Sequence, residues 1–212
     1  MARGCLVICL TPTSIEQLKH AVQENESVQI KGTGTKLCRE LNVEGSISLE
    51  SLTGVLELRP PDLTCSVRAG TTMVELQGTL AGHGLCIPTA DLTGTAGGAY
   101  MAHQGKGRWK DWTIGATFML ADGTVAKSGS HAVKSVAGYD VHRFMAGTLG
   151  SLGICLELIL RVYPISAMPI EEPARESPAH VVDDPIQIGL MKRAKSIFDP
   201  TNKLNPGAWG FM

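Results

Sequence analysis

Two glycine-rich segments hold the residues of this sequence that are best suited to bind a ligand. The first covers residues 31–36, Lys-Gly-Thr-Gly-Thr-Lys, and the second covers residues 93–99, Thr-Gly-Thr-Ala-Gly-Gly-Ala. Consecutive backbone N–H groups in a glycine turn form a concave surface that binds anions, and a neighbouring lysine adds positive potential. Both segments are therefore candidate phosphate-binding turns.

The first turn does not match the common phosphate-binding motifs. A Walker loop needs Gly-x-x-x-x-Gly-Lys-Ser/Thr, which this sequence lacks, and a dinucleotide fingerprint needs a third glycine where Leu37 stands. Taken alone, such a turn is more often an ordinary loop. A third glycine turn covers residues 147–153, and 24 glycines among 212 residues exceed the roughly 7% of an average protein. Together these features favour a backbone that approaches a ligand closely.

Other kinds of catalytic site have weaker support. The six histidines form no His-Glu-x-x-His pair, no serine lies in a Gly-x-Ser-x-Gly run, and the six cysteines include no Cys-x-x-Cys pair. We expect no metal site and reduced, mostly buried thiols. The acidic pairs at residues 171–172 and 183–184 are expected to be solvated charges.

Charge and hydropathy argue against two classes of partner. A formal net charge of -1 gives no general attraction to nucleic acid, although residues 106–112 interleave basic and aromatic side chains. The longest apolar runs, such as residues 5–10, are far shorter than the ~20 residues of a membrane-spanning helix. We therefore expect a cytoplasmic protein with no membrane span and no nucleic-acid partner.

The first half of the chain alternates helical and extended patterns. The capping box Thr13-x-x-Glu16 predicts a helix over residues 14–23. A second box, Thr72-x-x-Glu75, predicts a helix that ends at the glycines of residues 82–84. Runs rich in apolar residues predict four strands. These strands cover residues 28–31, 47–49, 55–59 and 65–69.

The second half predicts a hairpin, a long strand and a final helix. Asp122-Gly123 supplies the positive φ of a tight turn between strands at residues 114–121 and 124–127. Apolar residues alternate over residues 154–162, which is the clearest strand pattern in the chain. Asp184 is the predicted N-cap of the final helix, and Pro185 occupies its first turn. Its apolar residues on one face are Ile186, Leu190, Ala194 and Ile197.

In their order along the chain, these segments resemble the FAD-binding domain of the p-cresol methylhydroxylase and vanillyl-alcohol oxidase family, most closely its glycolate oxidase FAD-binding subunits. The resemblance covers nearly the whole chain, and the ordered set is more specific than any single motif. The motifs are residues 31–37, Pro88 with Thr95-Ala-Gly-Gly98, Asp111-x-x-x-Gly115, Ala121-Asp-Gly123, Val133-Lys-Ser-Val-Ala-Gly-Tyr-Asp140, Gly147-x-x-Gly150-x-Leu-Gly153-Ile154, Phe198-Asp-Pro200 and Leu204-Asn-Pro-Gly207.

The resemblance implies an α+β architecture, the two-lobed FAD-binding fold of the p-cresol methylhydroxylase type. Residues 1–90 would form the first lobe, and residues 91–163 would form the second. Relatives carry a substrate-binding domain where this chain has only a linker rich in Pro, Glu and Asp, residues 164–184. Residues 185–212 would return as a helix and tail that close the FAD site.

The resemblance also implies where the cofactor lies. The turns at residues 32–35 and 95–98 would wrap the FAD diphosphate with backbone N–H groups, and a side chain at the glycines would block its approach. Residues 147–154 would line the cofactor. No histidine occurs in residues 31–37, where some relatives attach flavin covalently, so we expect non-covalent FAD. The implied cofactor-binding residues are Lys31, Gly32, Thr33, Gly34, Thr35, Lys36, Pro88, Thr95, Ala96, Gly97, Gly98, His103, Gly105, Gly138, Tyr139, Gly147, Gly150, Gly153, Ile154 and, near the flavin end, Asn205.

Two departures from the family limit what the resemblance implies. Ala102-His-Gln-Gly105 stands where relatives carry a Thr-Asn-x-Ser-Gly-like run, which removes hydroxyl groups that would contact the cofactor. The substrate domain, which would orient the substrate, has no counterpart in this sequence. We therefore assign no catalytic residue.

The favoured function is the FAD-binding subunit of an FAD-linked oxidoreductase that oxidises a 2-hydroxy acid such as glycolate. A second redox subunit or a homodimer mate would cover the flavin and accept electrons. One alternative is a non-catalytic FAD-binding module, or a relic that has lost its substrate domain. Another alternative is a protein that binds nucleotide phosphates without using flavin.

Overall fold

The computed structural model describes residues 8–36, 40–102, 109–131, 140–168 and 184–210. A small three-stranded sheet and a five-stranded sheet each cover their own hydrophobic core. Six α-helices lie in the described residues, and none of them is long and apolar enough to cross a bilayer. The arrangement is the mixed helix-and-sheet architecture that the sequence predicts.

The small sheet is parallel and is built from the first described residues. Its strands are β1 (Ile8–Leu10), β2 (Val28–Lys31) and β3 (Gly45–Ser48), in the order β1-β3-β2. Helix α1 (Ile15–Glu24) crosses from β1 to β2 and buries Leu18, Ala21 and Val22. The apolar side of the helix and the buried strand residues form one core, because both must leave water together.

Helix α1 begins one residue later than the sequence predicts. Ser14 is the N-cap, and its side-chain Oγ accepts a hydrogen bond from Gln17 N at 3.2 Å. The Gln17 side chain reaches back and accepts from Thr13 N at 2.9 Å. Ser14 and Gln17 therefore cap the helix in place of the predicted Thr13 and Glu16. Ser14 accepts from Gln17 N, and the Gln17 side chain bonds back to Thr13, the residue before the N-cap.

The large sheet is antiparallel throughout. Its strand order is β4-β5-β9-β7-β8, so strands from both sides of residue 90 share one sheet, although residues 1–90 and 91–163 are the predicted lobes. The sheets themselves divide between β3 and β4, and the lobe boundaries stay predictions. The remaining elements are β4 (Val55–Arg59), β5 (Thr64–Arg68), α2 (Met73–Ala81), β6 (Leu85–Cys86), α3 (Ala96–Ala102), α4 (Trp109–Trp112), β7 (Thr113–Met119), β8 (Val125–Gly129), α5 (Val141–Met145), β9 (Ile154–Arg161), β10 (Tyr163–Pro164) and α6 (Pro185–Phe198).

Strand β9 lies at the centre of the large sheet and joins the two cores. The strand is present, but its burial does not alternate, since Cys155 and Ile159 are buried as well. Ile154 and Leu156 pack in the core of the small sheet, whereas Cys155, Leu158 and Leu160 pack in the core of the large sheet. The pairing of β9 with β7 shifts register between Cys155 and Glu157, and this irregularity interrupts the alternation where the strand passes from one core to the other.

The cysteines of the described residues are free thiols. Cys65, Cys86 and Cys155 are buried, and Cys9 is exposed. Burial raises the pKa of the Cys65 thiol to about 12 and also raises the pKa of the Cys155 thiol. These two thiols are therefore protonated at neutral pH and pack as small apolar groups.

Helix α6 packs through a face that shares only Ala194 with its predicted apolar stripe, and the other three residues of the stripe are exposed. The side chains of Ile186, Leu190 and Ile197 are 75%, 64% and 68% exposed. The helix instead contacts the large core through Met191, Ala194 and Phe198. The stripe faces away because Lys195, on the packed side, is drawn into the interior by polar partners.

A buried ion pair fixes the end of α6 and the turn that follows it. Lys195 Nζ donates to Asp199 Oδ2 at 2.6 Å, to Ser151 O at 2.7 Å and to Leu204 O at 2.7 Å. Asp199 also accepts from Lys203 N at 3.0 Å and from Leu204 N at 2.7 Å. All three ammonium protons have partners, so the pair is satisfied in spite of its burial. The position of the chain after Leu204 is set by this pair.

We expect the Lys195→Met variant to lose about 3–5 kcal/mol of unfolding free energy, because it leaves the Asp199 carboxylate buried without its counter-ion. Urea denaturation monitored by circular dichroism measures the loss. Lys192→Met, at an exposed position of the same helix, is the matched control and should change stability by less than about 0.5 kcal/mol. Equal small effects of both variants would contradict the structural role of the pair.

Candidate functional site

A cleft with about 820 Å³ of empty volume, part of it open to solvent, lies between the two sheets. Most of the predicted site residues that the structure describes line this one cleft. The lining includes Lys31, Gly32, Thr33, Gly34, Thr35, Lys36, Thr95, Gly97, Gly98, Gly150, Gly153, Ile154 and Asn205.

The loop after β2, residues 32–36, has unused backbone donors. None of its amide N–H groups donates a backbone hydrogen bond to another described residue. The edge of β2 before it is occupied, since Val28 N donates to Lys203 O at 2.9 Å and Ile30 N donates to Asn205 Oδ1 at 2.6 Å. Gly34 then turns the chain at a φ of 80°. Five successive donors are thereby left beside the cleft, which is the arrangement that binds an anion.

The loop around residues 94–98 differs from the expectation that its N–H groups wrap a diphosphate. Ala96 N donates to Thr71 O at 2.8 Å, and Gly97 N donates to Ala69 O at 2.8 Å. Gly98 N donates to Thr95 Oγ1 at 3.1 Å. These three amides are already hydrogen-bonded within the protein, two of them to the turn after β5 and one to Thr95. The backbone donors available at the cleft therefore belong mainly to the loop after β2.

The glycines of the two loops let the loops pack against each other. A Cβ built on Gly32 would lie 2.3 Å from Thr95 Oγ1, and one on Gly94 would lie 2.4 Å from Thr35 Oγ1. A Cβ on Gly97 would lie 2.6 Å from Ala69 Cβ and 3.0 Å from Ala69 O. Separations under 3.0 Å are not tolerated, so the missing side chains first make room for the protein itself. This adds a reason for these glycines to the predicted approach of a ligand.

Asn205 joins the two halves of the cleft. Its Oδ1 accepts from Ile30 N at 2.6 Å, and its Nδ2 donates to Leu149 O at 2.6 Å. Its backbone N donates to Val28 O at 2.9 Å, and its φ is 43°, which asparagine adopts more readily than most residues. Ile30 packs on the small core and Leu149 on the large one. Asn205 therefore holds the small sheet at a fixed position beside the loop that precedes β9.

Three predicted site residues lie outside the cleft lining. Ala96 is fully buried beside Thr71, Pro88 is buried after β6, and Gly147 donates its N–H to Tyr100 O at 3.1 Å. Each is held by packing or a hydrogen bond within the protein, so the structure does not bring them to the cleft. His103, Gly105, Gly138 and Tyr139 are outside the described residues.

An ion pair at the cleft joins the two loops. Lys36 Nζ, at the end of the loop after β2, donates to Asp91 Oδ2. Burial by itself raises the pKa of Asp91, but hydrogen bonds from Lys36 and Thr93 outweigh that effect and lower the pKa to about 2. Asp91 is therefore ionised at every pH above roughly 3. No motif in the sequence predicted Asp91 as a site residue, although an Asp two residues before Thr93 is a signal for an Asx turn.

The rest of the lining is mainly apolar and was not predicted. These side chains come from several separate elements, so no local pattern identifies them. The described residues also contain no group of three or more His, Cys, Asp or Glu side chains placed to hold a metal ion. The additional lining residues are Gln29, Ile30, Leu41, Leu49, Ala69, Met101, Ala102, Leu149, Cys155 and Ala208.

Comparison with known proteins identifies relatives of the whole arrangement. Residues 8–129 match the model of a family described as FAD binding domain. The chain is 30% identical over 146 residues to glycolate oxidase subunit GlcD of Bacillus subtilis (strain 168), a match that covers 63% of this chain and 31% of that protein. It is 26% identical over 161 residues to glycolate oxidase subunit GlcE of Escherichia coli (strain K12), covering 71% and 46%. The matched part is less than half of either relative.

Among solved structures, the fold matches an alkyldihydroxyacetonephosphate synthase with a TM-score of 0.60 at 19% sequence identity. The match covers 74% of this chain and 31% of that one. At this identity the likeness concerns the fold alone. It confirms the predicted two-lobed α+β fold class.

We expect Gly97→Ala to lower the unfolding free energy by about 2–4 kcal/mol, because the new methyl group would lie 2.6 Å from Ala69 Cβ and 3.0 Å from Ala69 O. Gly78→Ala is the control: it lies inside α2 with open space around it and should stabilise the protein by up to about 1 kcal/mol. Thermal denaturation of both variants tests the difference. A neutral Gly97→Ala variant would show that the loop is not packed as described.

Asn205→Asp should cost about 1–3 kcal/mol of stability, because a carboxylate accepts from Ile30 N but cannot donate to Leu149 O. Aspartate tolerates the same positive φ, so the backbone contribution stays constant. Asn202→Asp, at an exposed residue of the same turn with a φ of 53°, is the control. Chemical denaturation at pH 7 measures both, and equal effects would contradict the bridging role of Asn205.

Proposed function

This chain belongs to the FAD binding domain family, and from that premise we propose that the cleft between its two sheets holds FAD without a covalent bond. One observation supports the site more than any other. The loop at residues 32–36 presents five backbone N–H groups that other described residues leave unused. Such donors are costly to desolvate unless a ligand accepts from them, and a diphosphate provides several anionic acceptors.

The remainder of the cleft fits the larger parts of FAD. Leu41, Leu49, Met101 and Leu149 give it apolar walls that suit flat aromatic rings. In this proposal, residues 150–154 contact the base or the ring through backbone groups, and Asn205 positions the cleft walls. Its two side-chain hydrogen bonds are both made within the protein, so its role is to hold β2 and the residue-149 loop in place.

Bound FAD supplies hydride and electron transfer, and the protein contributes binding, orientation and exclusion of water. No Asp, Glu or His lines the cleft within the described part of the chain. The one thiol in the lining, Cys155, has its pKa raised by burial and stays protonated. The described lining therefore contains no carboxylate or imidazole that could take a proton from a substrate.

We infer that any catalytic acid or base lies outside the described lining. The relatives named above are glycolate oxidase subunits, and this chain spans 31% and 46% of their lengths. These facts support a role as the FAD-binding subunit of an oxidoreductase that acts on a 2-hydroxy acid such as glycolate. A second redox subunit or a homodimer mate would cover the open side of the cleft.

A second candidate function is FAD binding without catalysis. It is favoured by the same observation, the lack of an acid or base in the described lining. The two functions differ in one measurable respect. A catalytic subunit loses its visible flavin absorbance when glycolate or another 2-hydroxy acid is added together with the correct partner chain, whereas a simple FAD-binding module does not.

We expect purified protein to retain FAD after desalting, seen as visible flavin absorbance, and to melt at a higher temperature with FAD present.

Gly34→Ala should weaken FAD binding roughly tenfold, because Gly34 has a φ of 80° and shapes the donor loop. Gly54→Ala also places a side chain at a positive φ, 114°, but Gly54 lies outside the cleft lining. It should leave FAD affinity unchanged, and a wild-type protein that binds no FAD would refute the proposed function.

A further inference from the structure

The Lys36–Asp91 ion pair combines a residue of the cleft with one outside it. Lys36 lines the cleft, whereas Asp91 does not, so the ion pair lies at the edge of the ligand space. The Lys36 side chain is 25% exposed and the Asp91 side chain 55% exposed. An ion pair this exposed contributes little to stability, so separating it costs little.

Asp91 is the fixed member of the pair. Its Oδ1 accepts from Thr93 N at 3.0 Å and from Thr93 Oγ1 at 2.6 Å, and its backbone N donates to Thr89 Oγ1 at 3.2 Å. Lys36, in contrast, carries its charge at the end of a flexible four-carbon chain. When a competing anion enters the cleft, the ammonium moves and the carboxylate stays.

Resting on the proposed function, we propose that Asp91 is a built-in competitor for the Lys36 ammonium, and that a diphosphate in the cleft displaces it. The exchange involves no covalent step: one salt-bridge acceptor replaces another on the same ammonium. Asp91 remains charged after the exchange, so its repulsion of the bound anion persists. This pair therefore limits the affinity for the cofactor and keeps it exchangeable.

The alternative role for the pair is a latch whose loss weakens binding by loosening the two loops. The loops already pack directly, since Gly32 lies against Thr95 and Gly94 against Thr35. Loop packing therefore does not depend on the ion pair. Competition predicts that removing the carboxylate tightens ligand binding, and the latch predicts the opposite.

The substitution Asp91→Asn separates these two roles. Asparagine keeps Oδ1, so it still accepts from Thr93 N and Thr93 Oγ1, but its Nδ2 cannot pair with Lys36. Asp122→Asn is the matched control, because Asp122 Oδ1 accepts from Thr124 N at 2.8 Å in a similar turn within the β7–β8 hairpin. Both variants change the net charge by the same amount.

The experiment titrates wild type and variants with FAD and, separately, with ADP, which carries the diphosphate without flavin, at low and high salt. We expect Asp91→Asn to lower the dissociation constant of both ligands about three- to tenfold at low salt, with a smaller gain at high salt. Lys36→Gln should weaken binding, and in that background Asp91→Asn should give a smaller gain, because only the repulsion between Asp91 and the bound anion is left to relieve. Asp122→Asn should match wild type.

Weaker or unchanged binding by Asp91→Asn, or an equal gain in the Lys36→Gln background, would overturn the competition. The ADP titration separates this inference from the proposed function. Protein that binds ADP with the expected variant pattern but does not bind FAD would refute the FAD site and leave the competition standing. Protein that binds neither ligand would refute both.

Discussion

The cleft depends on the hydrogen bonds of Asn205, because this residue bonds to both halves of the fold. It accepts from Ile30 N on the small sheet and donates to Leu149 O beside the large one. The position of Asn205 is fixed in turn by the buried Lys195–Asp199 pair, because both members of the pair bond to the backbone of the preceding residue, Leu204. A helix and turn from the end of the chain thus determine how far apart the two sheets lie, and therefore the width of the site.

The two glycine-rich segments have different roles at this site. The backbone N–H groups of residues 32–36, after β2, bond to no other described residue. Those of residues 96–98 donate to Thr71, Ala69 and Thr95. The glycines of residues 94–98 instead allow close packing against the first loop and the large sheet. One loop is therefore suited to bind an anion, and the other holds that loop in shape. Glycine content alone does not distinguish these roles, because both need a missing side chain.

Local signals predicted most of the elements, and tertiary contacts account for the rest. The cap at Thr72 and the hairpin turn at Asp122-Gly123 were predicted, because each depends on residues adjacent in sequence. The packed face of α6 was not, since it is decided by the partners of Lys195 on distant segments. The resemblance placed Asn205 and both loops at the site. It did not predict Asp91 or the apolar lining, which only the folded chain brings together.

In the proposed site, the backbone amides of residues 32–36 donate the main hydrogen bonds to the FAD diphosphate. Amide-resolved NMR of labelled protein with and without FAD tests it directly. If the proposed site is right, the largest chemical-shift changes and the strongest slowing of hydrogen exchange occur at residues 32–36, while the already bonded amides of residues 96–98 change less. The largest changes at residues 96–98, with residues 32–36 unaffected, would contradict it.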